Sequence, residues 1–141
     1  MGLDMFLYIK NGKEYEELCH WRKANAIHNW FKENVGECDN EFVDVNKEQL
    51  QKLVDVCIEV KEILDSRTKF YDLANQEYYS FDEKTCEEII ELLPPLGGFF
   101  FGTTDIDKYY YDDISDTIEK LGEVIQNVDF DKDRIQYYSW W

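Results

Sequence analysis

The sequence predicts a single α+β domain over residues 1–141, with a small antiparallel sheet of four to five strands packed with about four helices. Three observations predict it. Both ends of the chain, residues 3–10 and 134–141, are rich in aromatic and β-branched residues and read as strands. Between them, apolar residues recur at intervals of three and four in several stretches, the period of amphipathic helices. And 141 residues with 44% hydrophobic and 16% aromatic content suffice for one packed core.

The elements follow in order. Residues 3–10 alternate loosely between apolar and polar, and Asn11-Gly12 is the strongest hairpin signal in the chain. The return strand runs over about 14–21, with Tyr15 a candidate core residue. A helix is predicted over 22–35, ended by Gly36. Its apolar stripe is Ala24, Ile27, Phe31 and Val35. Residues 41–45 read as a short strand. Asn46 and Gln49 have the spacing of a capping box, opening a helix that runs to about residue 64. Leu50, Leu53, Val54, Cys57, Val60 and Leu64 form its buried face. Residues 65–80 interleave Phe70, Tyr71, Tyr78 and Tyr79 with polar residues, and fit a helix-loop or a surface loop. A helix from about 82 ends at Pro94-Pro95. Phe99-Phe100-Phe101, flanked by glycines, reads as a buried strand, and residues 106–127 as the last helix.

Charge excludes several function classes. The 31 Asp and Glu against 15 Lys and Arg give a formal net charge of -16. That disfavours direct binding to nucleic acid and to anionic membranes. No apolar run is long enough to span a bilayer, and residues 1–6 lack the basic and apolar regions of a signal peptide. Cys19, Cys38, Cys57 and Cys86 contain no C-x-x-C pair, so they read as reduced, mostly buried thiols rather than zinc ligands. No cofactor or metal is called for. Nucleophile elbows, phosphate-binding glycine loops, HExxH and dinucleotide fingerprints are all missing from the sequence.

Two windows break the acidic pattern. An acid falls about every four or five positions on average, yet residues 18–32 contain none. They contain two Trp, both His, an Arg and two Lys. Residues 92–104 are the second such window. Together they hold the side chains that recognise nucleotides. Trp21, His28, Trp30, Phe99 and Phe101 offer rings for stacking, with Tyr109 just beyond. Arg22 and Lys23 offer charge for phosphate. Asn25, Thr103 and Thr104 offer polar contacts. Arg22 and Lys23 cannot be core fillers, and the expected helix start at Arg22 would add backbone N–H groups to an anion site. Their simpler role is a salt bridge to one of the many acids. Of the tyrosines and tryptophans at 109–111, 137–138 and 140–141, some must face solvent or an interface, which predicts a homo-oligomer or partner surface.

The start Met1-Gly2-Leu3-Asp4-Met5, the block from Trp21-Arg22-Lys23-Ala24-Asn25 to His28-Asn29-Trp30-Phe31, Gly98-Phe99-Phe100-Phe101-Gly102-Thr103-Thr104 and the ending Tyr137-Tyr138-Ser139-Trp140 resemble a family of short bacteriophage proteins. The resemblance spans most of the chain outside 65–80. It implies expression in the cytoplasm of an infected bacterium. Small phage proteins often counter host defence, and one class of them soaks up nucleotide immune signals. The sequence therefore leads to an expectation of a non-catalytic counter-defence protein. It would sequester a small anionic nucleotide-like signal of the cyclic ADP-ribose or cyclic dinucleotide type. The alternatives are an acidic protein–protein inhibitor that mimics nucleic acid, and a nucleotide-cleaving enzyme.

Overall fold

The computed structural model describes residues 2–67, 69–73 and 76–141, of which 69–73 and 76–80 are described as backbone only. The chain is an α+β fold, as its periodicities predict. The elements are β1 (Asp4–Asn11), β2 (Glu14–Arg22), α1 (Asn25–Asn34), β3 (Phe42–Val45), α2 (Lys47–Arg67), β4 (Lys69–Leu73), β5 (Gln76–Ser80), α3 (Glu83–Leu92), α4 (Lys108–Asn127) and β6 (Arg134–Trp140). The main sheet has the order β2-β1-β6-β3 and is antiparallel throughout. The two ends of the chain thus lie side by side at its centre. β4 and β5 pair as a second, two-stranded antiparallel sheet.

Local chemistry explains the elements. Gly12, at φ +65°, makes the tight β1–β2 turn that a side chain would strain. The capping box at α2 forms in both directions: Asn46 N–H donates to Gln49 Oε1 at 2.9 Å, and Gln49 N–H donates to Asn46 Oδ1 at 2.8 Å. Asn46→Ala is expected to cost about 1 kcal/mol in urea denaturation, since it strips that cap. Asp82 and Asp107 cap α3 and α4, accepting from Thr85 N–H and Tyr110 N–H.

The core lies between the inner face of the sheet and the helices. Met5, Leu7, Cys19, Trp21, Ile135 and Tyr137 point inward, and Phe31 of α1 stacks on Tyr137 at 3.9 Å between centroids. All six residues expected on the inner face of α2 are buried. The four cysteines are free thiols, three of them buried. Among the described residues no helix is long and apolar enough to cross a membrane.

Four expectations are corrected. α1 begins at Asn25 rather than 22, because Trp21 and Arg22 pair with Met5 and Asp4 as the end of β2. Lys23, at φ +55°, then turns the chain into the helix. Residues 99–101 form no strand. Their loop is held from outside: Leu3 N–H donates to Phe100 O, and Asn25 Nδ2 donates to Phe101 O and Thr103 O at 2.8 and 2.9 Å. Tyr15 is 41% exposed on the outer face of the sheet, since its register partner Lys10 also points outward. In the 65–80 stretch α2 runs on to Arg67, and Lys69–Leu73 pairs with Gln76–Ser80 as β4 and β5; the rings of Phe70, Tyr71, Tyr78 and Tyr79 lie outside the described residues.

Candidate functional site

The β2–α1 turn, the loop after α3 and the start of α4 meet around a cavity of about 270 Å³. It is lined by Arg22, Lys23, Asn25, Gly102, Thr103 and Tyr109 on one side of the chemistry, and by Asp105, Asp107, Asp113 and Tyr110 on the other. The end of β2 places Arg22 at its rim. Lys23 is held there by a left-handed backbone, a conformation that costs a non-glycine residue about 1 kcal/mol. Its N–H donates to Leu3 O at 2.8 Å, which fixes the turn.

The loop is tied to α1 by one side chain. Asn25 Oδ1 accepts from Leu96 N–H at 3.1 Å while its Nδ2 holds the two carbonyls named above, so three of the four bonding sites of this buried amide serve as a clamp. Asn29 adds a bond to Pro94 O at 3.1 Å. Gly102, at φ +81°, lies against Lys23: a Cβ there would sit 3.5 Å from Lys23 Cβ and 3.6 Å from Cδ. Gly102→Ala is therefore expected to cost about 1 kcal/mol, chiefly from the left-handed backbone, and to disturb the Lys23 side of the cavity. Thermal melting together with a lysine-resolved NMR spectrum checks both.

The cations are little engaged by protein carboxylates. Among the described residues Lys23 has no ion-pair partner, and Arg22 reaches Asp4 Oδ1 at a loose 3.9 Å with its head largely in solvent. The opposite wall is acidic. Burial, reinforced by the charges of Asp116, Asp112 and Asp107, pushes the Asp113 carboxyl up to about 7. Asp107 is committed as the α4 cap. Tyr110 donates its hydroxyl to Leu93 O at 2.7 Å and belongs to the core, whereas Tyr109 is 73% exposed at the mouth.

Of the eleven residues expected at a ligand site, the cavity brings together Arg22, Lys23, Asn25, Thr103 and Tyr109. The other six lie elsewhere. Trp30 is buried on α1, edge-on to Phe31. Trp21 is buried, its Nε1–H bonded to Thr117 Oγ1 at 2.9 Å. His28 is wholly enclosed, with Nδ1 2.7 Å from the Tyr137 hydroxyl and Nε2 3.1 Å from Asp39 Oδ1. Its burial lowers its pKa against the opposing pull of Asp39. A neutral ring with its proton on Nε2 satisfies both contacts. Phe101 packs edge-on to His28 and Trp141 inside the core. Phe99 is 95% exposed and touches Phe100 rather than the cavity. Thr104 is exposed and outside the lining. The helix-start anion site expected at Arg22 does not form there, because Arg22 is strand; the nearest helix start is Asn25, whose cap residue Ala24 supplies no side-chain bond.

Attention to acid-free windows missed Asp105, Asp107 and Asp113. A signal for Asp113 exists: Tyr110, Asp113 and Thr117 fall at intervals of three and four on α4, which puts a carboxylate beside the buried stripe. Among the described residues no group of three or more His, Cys, Asp and Glu is placed to hold a metal ion. No protein-family model, no curated protein and no solved structure matches the chain.

Proposed function

We propose that the chain binds a small nucleotide-like anion in this cavity and sequesters it without chemical change. The observation that carries the reading is the pair Arg22 and Lys23, brought to one cavity with no close carboxylate partner among the described residues, on an otherwise strongly acidic protein. A phosphate is the group that such a pair suits, and the first turn of α1, uncapped by any side chain, lies beside it. The open ring of Tyr109 offers a base a stacking face. Carboxylates of Asp105 and Asp113 accept hydrogen bonds from base amino groups or ribose hydroxyls.

Size narrows the ligand. Pockets for drug-sized ligands hold about 300–1,000 Å³, and 270 Å³ suits one nucleotide unit. A cyclic dinucleotide or a cyclic ADP-ribose derivative would leave part of itself outside, past Tyr109. The resemblance to phage proteins supplies the setting: in an infected cell, removal of a nucleotide signal blunts host defence.

Calorimetry with nucleoside monophosphates, cyclic mononucleotides, cyclic dinucleotides and cyclic ADP-ribose isomers tests the reading. One phosphate-bearing class is expected to bind one-to-one and to be recovered intact by chromatography after release. Absence of heat across the whole panel contradicts binding, and recovery of a cleaved product contradicts sequestration.

A further inference from the structure

The sheet has a second face, and it differs from the rest of the molecule. The register places Phe6, Tyr8, Tyr15, Phe42, Tyr138 and Trp140 outward on neighbouring strands. Tyr15, Phe42 and Trp140 are 41%, 43% and 57% exposed. The rings pack on one another: Phe42 on Tyr138 at 4.4 Å, Tyr15 on Phe42 at 4.8 Å, and Phe6 on Tyr8 at 5.5 Å. Several stand nearly parallel, so their faces are occupied by each other and their edges meet solvent. Such rings give bases or sugars little free face to stack on.

Charge on this face is balanced. The outward positions carry Lys10, Arg22 and Arg134 against Asp4, Glu17 and Asp44, three of each sign. Most of these charges are already matched. Arg134 forks onto Asp44 at 2.6 and 2.9 Å, Asp4 lies 3.0 Å from His20 Nε2, and the Lys10 ammonium sits 5.8 Å above the Tyr15 ring. The chain's net charge of -16 therefore resides on its other surfaces. A basic partner gains little from a neutral face, and nucleic acid is repelled by the remainder. Another neutral aromatic face is the complement, because it directs the acids of both molecules away from the contact. Strand-to-strand pairing at the sheet edges is disfavoured: β2 carries Glu14 and Glu16 there, and β3 is only four residues long.

We propose that this face is the contact through which two copies of the chain form a weak, reversible dimer. Strand spacing and rise give the face about 19 by 23 Å, so two copies bury roughly 900 Å², at the low end of interface sizes. This inference does not rest on the proposed ligand, although Arg22 borders both the face and the cavity. Sedimentation velocity from about 5 to 500 μM tests it, with concentrations spanning the affinity expected of so small an interface. The mean mass is expected to rise from 17.0 kDa toward twice that value. Raising salt from about 0.05 to 0.5 M is expected to strengthen the dimer, by screening the repulsion between two acidic molecules. Phe42→Glu with Tyr15→Glu, both at exposed positions, is expected to weaken it at least tenfold; Trp140→Ser reads the same contact if that pair alters the circular dichroism spectrum. Ile90→Glu, at an exposed apolar position on α3, is expected to leave it intact. A monomer at every concentration, a dimer weakened by salt, a dimer that survives the sheet-face variants, or equal loss in Ile90→Glu would each overturn the proposal.

Discussion

Arg22→Ala combined with Lys23→Ala is expected to weaken binding of the phosphate-bearing ligand by a hundredfold or more. In the proposed site each side chain would give one charge-assisted hydrogen bond, worth about 1.5–3 kcal/mol when the other partner is charged. Two such losses make about 3–6 kcal/mol, and every 1.4 kcal/mol is a factor of ten. The fold is expected to tolerate the change. Among the described residues Arg22 has one ion-pair contact, the loose 3.9 Å to Asp4, and Lys23 holds the turn through its backbone, which alanine retains. The left-handed backbone at Lys23 is strained for lysine already and is no kinder to alanine. Calorimetry on the double variant, with its melting temperature measured alongside, separates lost contacts from lost structure. Binding within threefold of the parent contradicts the assignment of these two cations to the ligand.

Asp113→Asn is expected to stabilise the protein at alkaline pH and to help it much less in acid. The unfolded carboxyl titrates near its ordinary value of 3.8; the folded one titrates at about 7, raised by burial and by Asp116, Asp112 and Asp107. Below the unfolded value both states hold the proton and the group favours neither. As pH rises from about 4 to 7 only the folded state holds it, so this group's contribution to stability falls by about 1.4 kcal/mol per unit. Above 7 the full cost remains, on the order of 2–4 kcal/mol after allowance for partial exposure. Asparagine has the same shape and no charge. In urea denaturation, the gap between variant and parent is expected to widen by about 2–3 kcal/mol from pH 5 to pH 8. A gap that does not change with pH contradicts the account. The same proton bears on the ligand: a neutral Asp113 removes a negative charge from an anion site, so binding is expected to be tighter at pH 6 than at pH 8 in the parent and nearly level in Asp113→Asn. Retaining a costly carboxylate in a cavity is what a working site does at the expense of stability.

Residues whose role depends on near neighbours were readable in advance. The Asn46 and Gln49 cap, the buried face of α2 and the Asn11-Gly12 turn each follow from spacing within a few positions. Arg22 and Lys23 were readable because cations stand out in an acidic chain. The start of α1 was not readable, because it depends on how far β2 pairs with β1; Arg22 looks like a helix residue until Asp4 is set against it. The fate of Phe99 to Phe101 was hidden for a related reason. Besides the local turn from Phe101 N–H to Gly98 O, their carbonyls accept from Leu3 and Asn25, partners far away in the chain. His28 lost its place at the ligand to Tyr137, 109 positions on. The acidic wall was obscured by abundance: with 31 acids, sequence gives little reason to single out Asp113.

The central claim is that a phosphate-bearing nucleotide enters the cavity beside Lys23. Titration of the 15N-labelled protein with the tightest ligand of the panel, followed by amide chemical shifts, tests it most directly. The account predicts saturable shifts concentrated at Arg22, Lys23, Ala26, Gly102 and Thr103 and at Tyr109 on α4. Shifts spread over the outer face of the sheet, or none at millimolar ligand, would contradict it.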